Sequence, residues 1–98
     1  MMAAMNWLAE SDTDYAIAKT DVLRAEIVCK RARARIFMTG DGSIEARKMA
    51  AETHTEVIEA DEELLRATLG YESLRAKRQR AEIVIDVWRS CEASRRRS

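Results

Sequence analysis

Apolar side chains recur along this chain at alternating steps of three and four. That period puts them on one stripe of a helix and, held over several turns, in the seam of a coiled coil. The stripe of the first half runs through Tyr15, Ala18, Val22, Ala25, Cys29, Ala32 and Ile36. That of the second runs through Ala46, Ala50, Thr53, Val57, Ala60, Leu64, Ala67, Tyr71, Leu74, Arg78, Ala81, Ile85 and Trp88, with Thr53 and Arg78 its only polar members. Between them Thr39-Gly40-Asp41-Gly42-Ser43 places two glycines where a helix must stop, and Ser43 can cap the next helix with Glu45 in its first turn. Ser11, followed by Asp12 and Asp14, is the first clear cap. The pattern predicts one helical domain over residues 1–98: a helix over about 11–38, a turn over 39–43, and a second helix over about 44–95. Gly70 is the one interior glycine of that second helix, and a break there is the alternative.

Folded about the loop, the two stripes face each other as an antiparallel, coiled-coil-like hairpin. With both arms starting level at the loop, Ala25 falls opposite Val57, Val22 opposite Ala60, Ala18 opposite Leu64 and Tyr15 opposite Ala67, so large meets small. Charge agrees: Lys30, Arg31, Arg33 and Arg35 fall beside Glu45, Glu52 and Glu56, and Glu10, Asp12 and Asp14 lie toward Arg66 and Arg75. At 1.5 Å per residue the first arm is roughly 40 Å long and the second roughly 75–80 Å. The excess includes Ile83 and Val87 and is apolar on more than one face, which predicts a homo-oligomer, a dimer first of all, joined through Leu74, Ala81, Val84, Ile85, Trp88 and Cys91. A fold-back of Met5, Trp7 and Leu8 is the other cover on offer.

Composition narrows the class. Charged residues make up 35% of the 98, aromatics 5%, and there is no proline, the balance of long helices and not of a sheet fold. Seventeen basic and seventeen acidic side chains cancel, so any attraction to nucleic acid must be local. No apolar run approaches the roughly 20 residues of a membrane span, and the first eight residues lack the basic start of a secretory signal, so a cytoplasmic protein with no membrane contact is expected. Cys29 and Cys91 sit inside helical patterns and are expected as reduced thiols.

Little in the sequence can assemble into a catalytic pocket. The single histidine, His54, stands among Glu52, Thr53, Thr55 and Glu56, where a solvated helix position is simpler than a metal or acid–base role. No phosphate loop, cysteine pair or nucleophile elbow is present, so neither an enzyme nor a cofactor or metal is expected. The acidic run Glu52, Glu56, Glu59, Asp61, Glu62, Glu63 can imitate a nucleic-acid backbone, which raises an inhibitor of a host nucleic-acid enzyme as an alternative, though a solvated face is the simpler reading. Residues 71–98 carry eight basic and four acidic side chains. Arg75, Lys77, Arg78, Arg80, Arg89, Arg95, Arg96 and Arg97 are therefore the candidate contacts for the phosphates of single-stranded DNA or for a partner protein. Interleaved aromatics for base stacking are lacking.

Three stretches, Gly42-Ser43-Ile44-Glu45-Ala46-Arg47, Leu74-Arg75-Ala76-Lys77-Arg78, and Val87-Trp88-Arg89-Ser90 running into Ala93-Ser94-Arg95-Arg96, resemble a group of small phage and prophage helical proteins of uncharacterised function. The likeness covers most of the chain from Trp7 onward. Such proteins are often encoded near phage recombination and single-strand-binding genes, so the resemblance implies a non-catalytic accessory role in phage DNA recombination or replication, in the host cytoplasm, beside a phage recombination protein. It supplies no catalytic residue. A structural scaffold module is the remaining alternative.

Overall fold

The computed structural model describes residues 2–97: α1 spans Met2–Thr39, α2 Ile44–Thr53 and α3 Thr55–Arg97. The all-helical antiparallel hairpin expected from the stripes is what forms, drawn out to 77 × 22 × 14 Å. Gly42 makes the turn in the left-handed region at φ 96°, and Ser43 Oγ accepts from the Ala46 amide at 3.2 Å to start α2.

Both ends of the expected helices move. α1 begins at Met2 and not at Ser11, because residues 2–10 hold no Gly or Pro and several of the best helix formers. Ala4, Leu8 and Ser11 carry the same stripe three turns upstream, and Ser11 is buried in it instead of capping. Ser11 Oγ donates to the Leu8 carbonyl at 3.2 Å. The second arm breaks at His54 and not at Gly70. Thr53 ends α2 with its hydroxyl turned back on the Met49 carbonyl at 2.9 Å, His54 is extended, and His54 Nδ1 accepts from the Glu56 amide at 3.1 Å, which makes the imidazole the cap of α3. Gly70 lies in uninterrupted helix with nothing within 4 Å of where a Cβ would stand.

The break changes the register. Tyr15 stacks on Tyr71, ring centroids 5.4 Å apart and planes at 9°, where equal arms had set it against Ala67. The pairing is thus displaced by four residues, one helical turn, because α2 and the extended His54 stand between the loop and α3. Within α2 it is Ala51 that is buried and Arg47 that is half-buried, while Ala46, Ala50 and Thr53 of the expected stripe are exposed. Along α1 and α3 the stripe itself holds: every member from Tyr15 to Ile36 and from Val57 to Ile85 is buried or half-buried.

Thirty-eight residues give α1 about 57 Å where the pattern from Ser11 implied about 40 Å, while α2 and α3 together still run roughly 80 Å, so the second arm overhangs the first by about half of what the pattern implied. Ile85 is buried against its own chain, and Ala81 is half-buried. Among the described residues Val57 alone of the larger side chains is fully buried, while Leu65 and Leu69 are each 69% exposed, so the hairpin covers one seam and leaves its flanks open.

Candidate functional site

Arg78, expected as a surface cation, is the most enclosed of the candidate basic residues, its side chain 16% exposed. It occupies a seam position of α3, and its guanidinium reaches across to α1 with three bonds: Nη1 donates to the Leu8 carbonyl at 3.0 Å and to Ser11 Oγ at 2.7 Å, and Nη2 pairs with Asp12 at 2.7 Å. The same group lies over the Tyr15 ring, 4.8 Å from its centroid. Five fixed donors on a planar fork let one side chain satisfy a carbonyl, a hydroxyl and a carboxylate together. The Tyr15 hydroxyl shares a 3.2 Å hydrogen bond with that of Tyr71, which, with burial, raises its pKa above the usual phenol range. Arg78 is thus a clamp that closes the start of α1 onto α3, and it is not presented to a phosphate.

The rest of the basic set remains outward. Arg75 pairs with Glu72 at 3.4 Å and Arg95 with Glu92 at 2.9 Å, each one turn away on the same helix. Lys77, Arg80, Arg89, Arg96 and Arg97 are exposed. Beside them Val84, Val87, Ile83, Trp88 and Cys91 are exposed as well, Trp88 at 45%. Of the residues expected to join subunits, then, Val84, Trp88 and Cys91 face outward, Leu74 and Ala81 are half-buried in the seam, and Ile85 is buried in it. Trp7 is half-buried.

The acidic run is largely occupied within the chain. Arg33 bridges Glu52 at 2.9 Å and Asp61 at 2.6 Å, Arg35 pairs with Glu56, and Glu63 with Arg66 at 2.9 Å. Two carboxylates raise the Arg33 pKa, and the Arg33 guanidinium in turn holds Asp61 below the ordinary carboxylate range. Cys29, buried beside this group, is pushed up by desolvation first and by Asp61 second, which makes it a poor nucleophile. Four acids of the run are therefore tied to arginines and do not form an uninterrupted anionic face.

A feature that the sequence reading passed over is the sidedness of the seam. Its heptad positions fall in two columns: Leu8, Tyr15, Val22, Cys29 and Ile36 in one, Ser11, Ala18, Ala25 and Ala32 in the other. On α3 the small column holds Ala60, Ala67 and Ala81, with Leu74 its one large member. The small columns meet on one broad face and form the floor of an open trough of about 570 Å³, lined also by Asp21, Arg24, Val28, Glu63, Arg66 and Gly70. It continues toward the loop past Arg31, Arg35, Glu56 and Glu59. Sorting the stripe into its two heptad columns would have exposed this.

Among the described residues no three His, Cys, Asp or Glu side chains stand close enough to hold a metal, and no helix is long and apolar enough to cross a membrane. Comparison of the chain with family models, with curated proteins and with solved structures returned no match.

Proposed function

We propose that this protein is a non-catalytic, self-associating helical accessory factor that works by binding, with the outward basic end of α3 contacting a partner protein or the phosphates of single-stranded DNA. One observation carries the reading. The last turns of α3 bring exposed Arg80, Arg89, Arg96 and Arg97 together with the uncovered apolar side chains Val84, Val87 and Trp88. Apolar surface gathered at one place favours a macromolecular contact, and arginines around it favour an anionic one. The resemblance to small phage proteins gives the setting, recombination or replication of phage DNA in the host cytoplasm.

The contact surface is Lys77, Arg80, Arg89, Arg96 and Arg97, with Arg95 adjoining and Arg78 left out because it is committed to α1. Titration of the intact protein with single-stranded DNA over a salt series tests it. Binding that weakens steeply with salt, and further in an Arg89→Ala, Arg96→Ala variant, is expected; no binding at low salt, or binding indifferent to salt, removes the DNA contact.

A further inference from the structure

The α1 rim of the Ala-floored trough carries an order of charge that reads the same when the helix is turned end for end with sign reversed, and the α3 rim does so at its two ends. On α1 the stripe along the rim is Glu10, Asp14, Ile17, Asp21, Arg24, Val28, Arg31, Arg35. Laid antiparallel on itself it pairs Glu10 with Arg35, Asp14 with Arg31, Ile17 with Val28 and Asp21 with Arg24. Every charged residue meets its opposite and the two apolar ones meet each other. On α3 the matching stripe is Glu56, Glu59, Glu63, Arg66, Gly70, Ser73, Lys77, Arg80. Turned end for end it pairs Glu56 with Arg80, Glu59 with Lys77, Glu63 with Ser73 and Arg66 with Gly70, where the open space around Gly70 admits the longer side chain.

The two helices give their midpoints independently. That of α1 falls between Val22 and Leu23, and that of α3 falls at Thr68. The Arg35–Glu56 ion pair sets these two midpoints level, and the Tyr15–Tyr71 stack sets them between four and five residues apart, so the two helices agree in their midpoints to within about 7 Å. We propose that a second copy of this chain docks face to face on the trough about a two-fold axis perpendicular to the helices, α1 on α1 and α3 on α3, forming an antiparallel four-helix bundle. This rests on the self-association put forward above, places it on a surface other than the Trp88 end, and takes Lys77 and Arg80 into the interface, which leaves Arg89, Arg96 and Arg97 as the outward basic contacts.

The in-chain pair Arg35–Glu56 then meets Glu10 and Arg80 of the other copy in a ring of alternating charge, and Arg31 with Glu59 meets Asp14 and Lys77 in a second. A two-fold axis parallel to the helices instead lays α1 on the α3 of the other copy at equal height and sets Arg24 against Arg66. Exposed ion pairs are individually weak, so they choose the orientation while the Ala floor permits close approach. The face also has the size required. Twenty-five residues of α1 rise about 38 Å and two helices abreast are about 20 Å wide, on the order of 750 Å² per copy, the scale of a standard stable interface.

Two charge-reversed variants test it: Asp14→Arg with Asp21→Arg, and Arg24→Asp with Arg31→Asp. All four side chains are exposed, so helicity by circular dichroism should be unchanged in both. By light scattering the wild type should weigh twice the 11.2 kDa chain. Each variant alone should dissociate, with Kd raised about a hundredfold, and an equimolar mixture should recover the dimer because every reversed pair is then complementary. A monomeric wild type across the micromolar range overturns the proposal together with the self-association it rests on. A dimer that survives both reversals and is lost in Trp88→Asp overturns the trough two-fold alone and keeps self-association at the α3 end. A mixture no tighter than either variant also overturns it.

Discussion

Arg78 Nη1 donates to the main-chain carbonyl of Leu8 at 3.0 Å across seventy residues of sequence, joining the two arms of the hairpin far from its loop. It holds the start of α1, which the sequence pattern did not include in the helix, against the far part of α3.

Removing the clamp should therefore weaken the whole fold. Arg78→Ala leaves Ser11 Oγ and Asp12 without their partner and exposes the face of Tyr15, at a cost of about 2–3 kcal/mol in urea unfolding. Arg78→Lys, with one point charge in place of a fork, should restore less than half. A loss within about 0.5 kcal/mol of zero for the alanine variant would mean that the guanidinium is held there without stabilising anything.

Acid should loosen the Arg33 group. Asp61 has its pKa lowered in the folded chain, first by Arg33, so the stability it contributes is complete above the unfolded carboxylate range and disappears as pH falls through the lower folded value. Melting temperature followed from pH 7 downward should drop more steeply in the wild type than in Asp61→Asn, which has nothing left to protonate at that position. Parallel acid limbs would contradict the assignment.

His54 and Gly70 should respond in opposite directions to the same substitution. His54→Ala deletes the acceptor at the head of α3 and should cost about 1 kcal/mol, whereas His54→Asp should keep the cap. Gly70→Ala fills open space in a regular helix and should add about 0.5–1 kcal/mol to the stability of the hairpin. Thermal unfolding of the three variants decides both, and a stabilising His54→Ala would show that the helix prefers to run through.

The stripes made the fold legible because a three-and-four spacing needs no knowledge of the partner helix. Tyr15 to Ile36 and Val57 to Ile85 could be read as seam from their spacing alone. Register could not, since it depends on how many residues lie between the loop and α3, and the break that settles this comes from one imidazole capping one amide. His54 reads as an ordinary solvated histidine until its backbone is seen to be extended. The start of α1 was missed for a related reason: Ser11 has the form of a cap, and only the position of Arg78 shows that its hydroxyl is needed inside. The basic contacts were legible as charge but not as exposure, and Arg78, central in the sequence cluster, proves to be internal.

A hairpin with one loop also has an order of closure. Near the turn Arg47 lies over the Phe37 ring across ten residues and Arg33 pairs with Glu52 across nineteen, whereas Leu8 and Arg78 span seventy. Each step outward asks a longer stretch of chain to surrender its freedom, so zippering runs from the turn toward the tips and fraying runs back the other way. The first turns of α1 and the part of α3 they lie on are consequently the last stretch of the rod to close and the first to open, and Arg78, seated just inside them, is the stop that keeps the opening short.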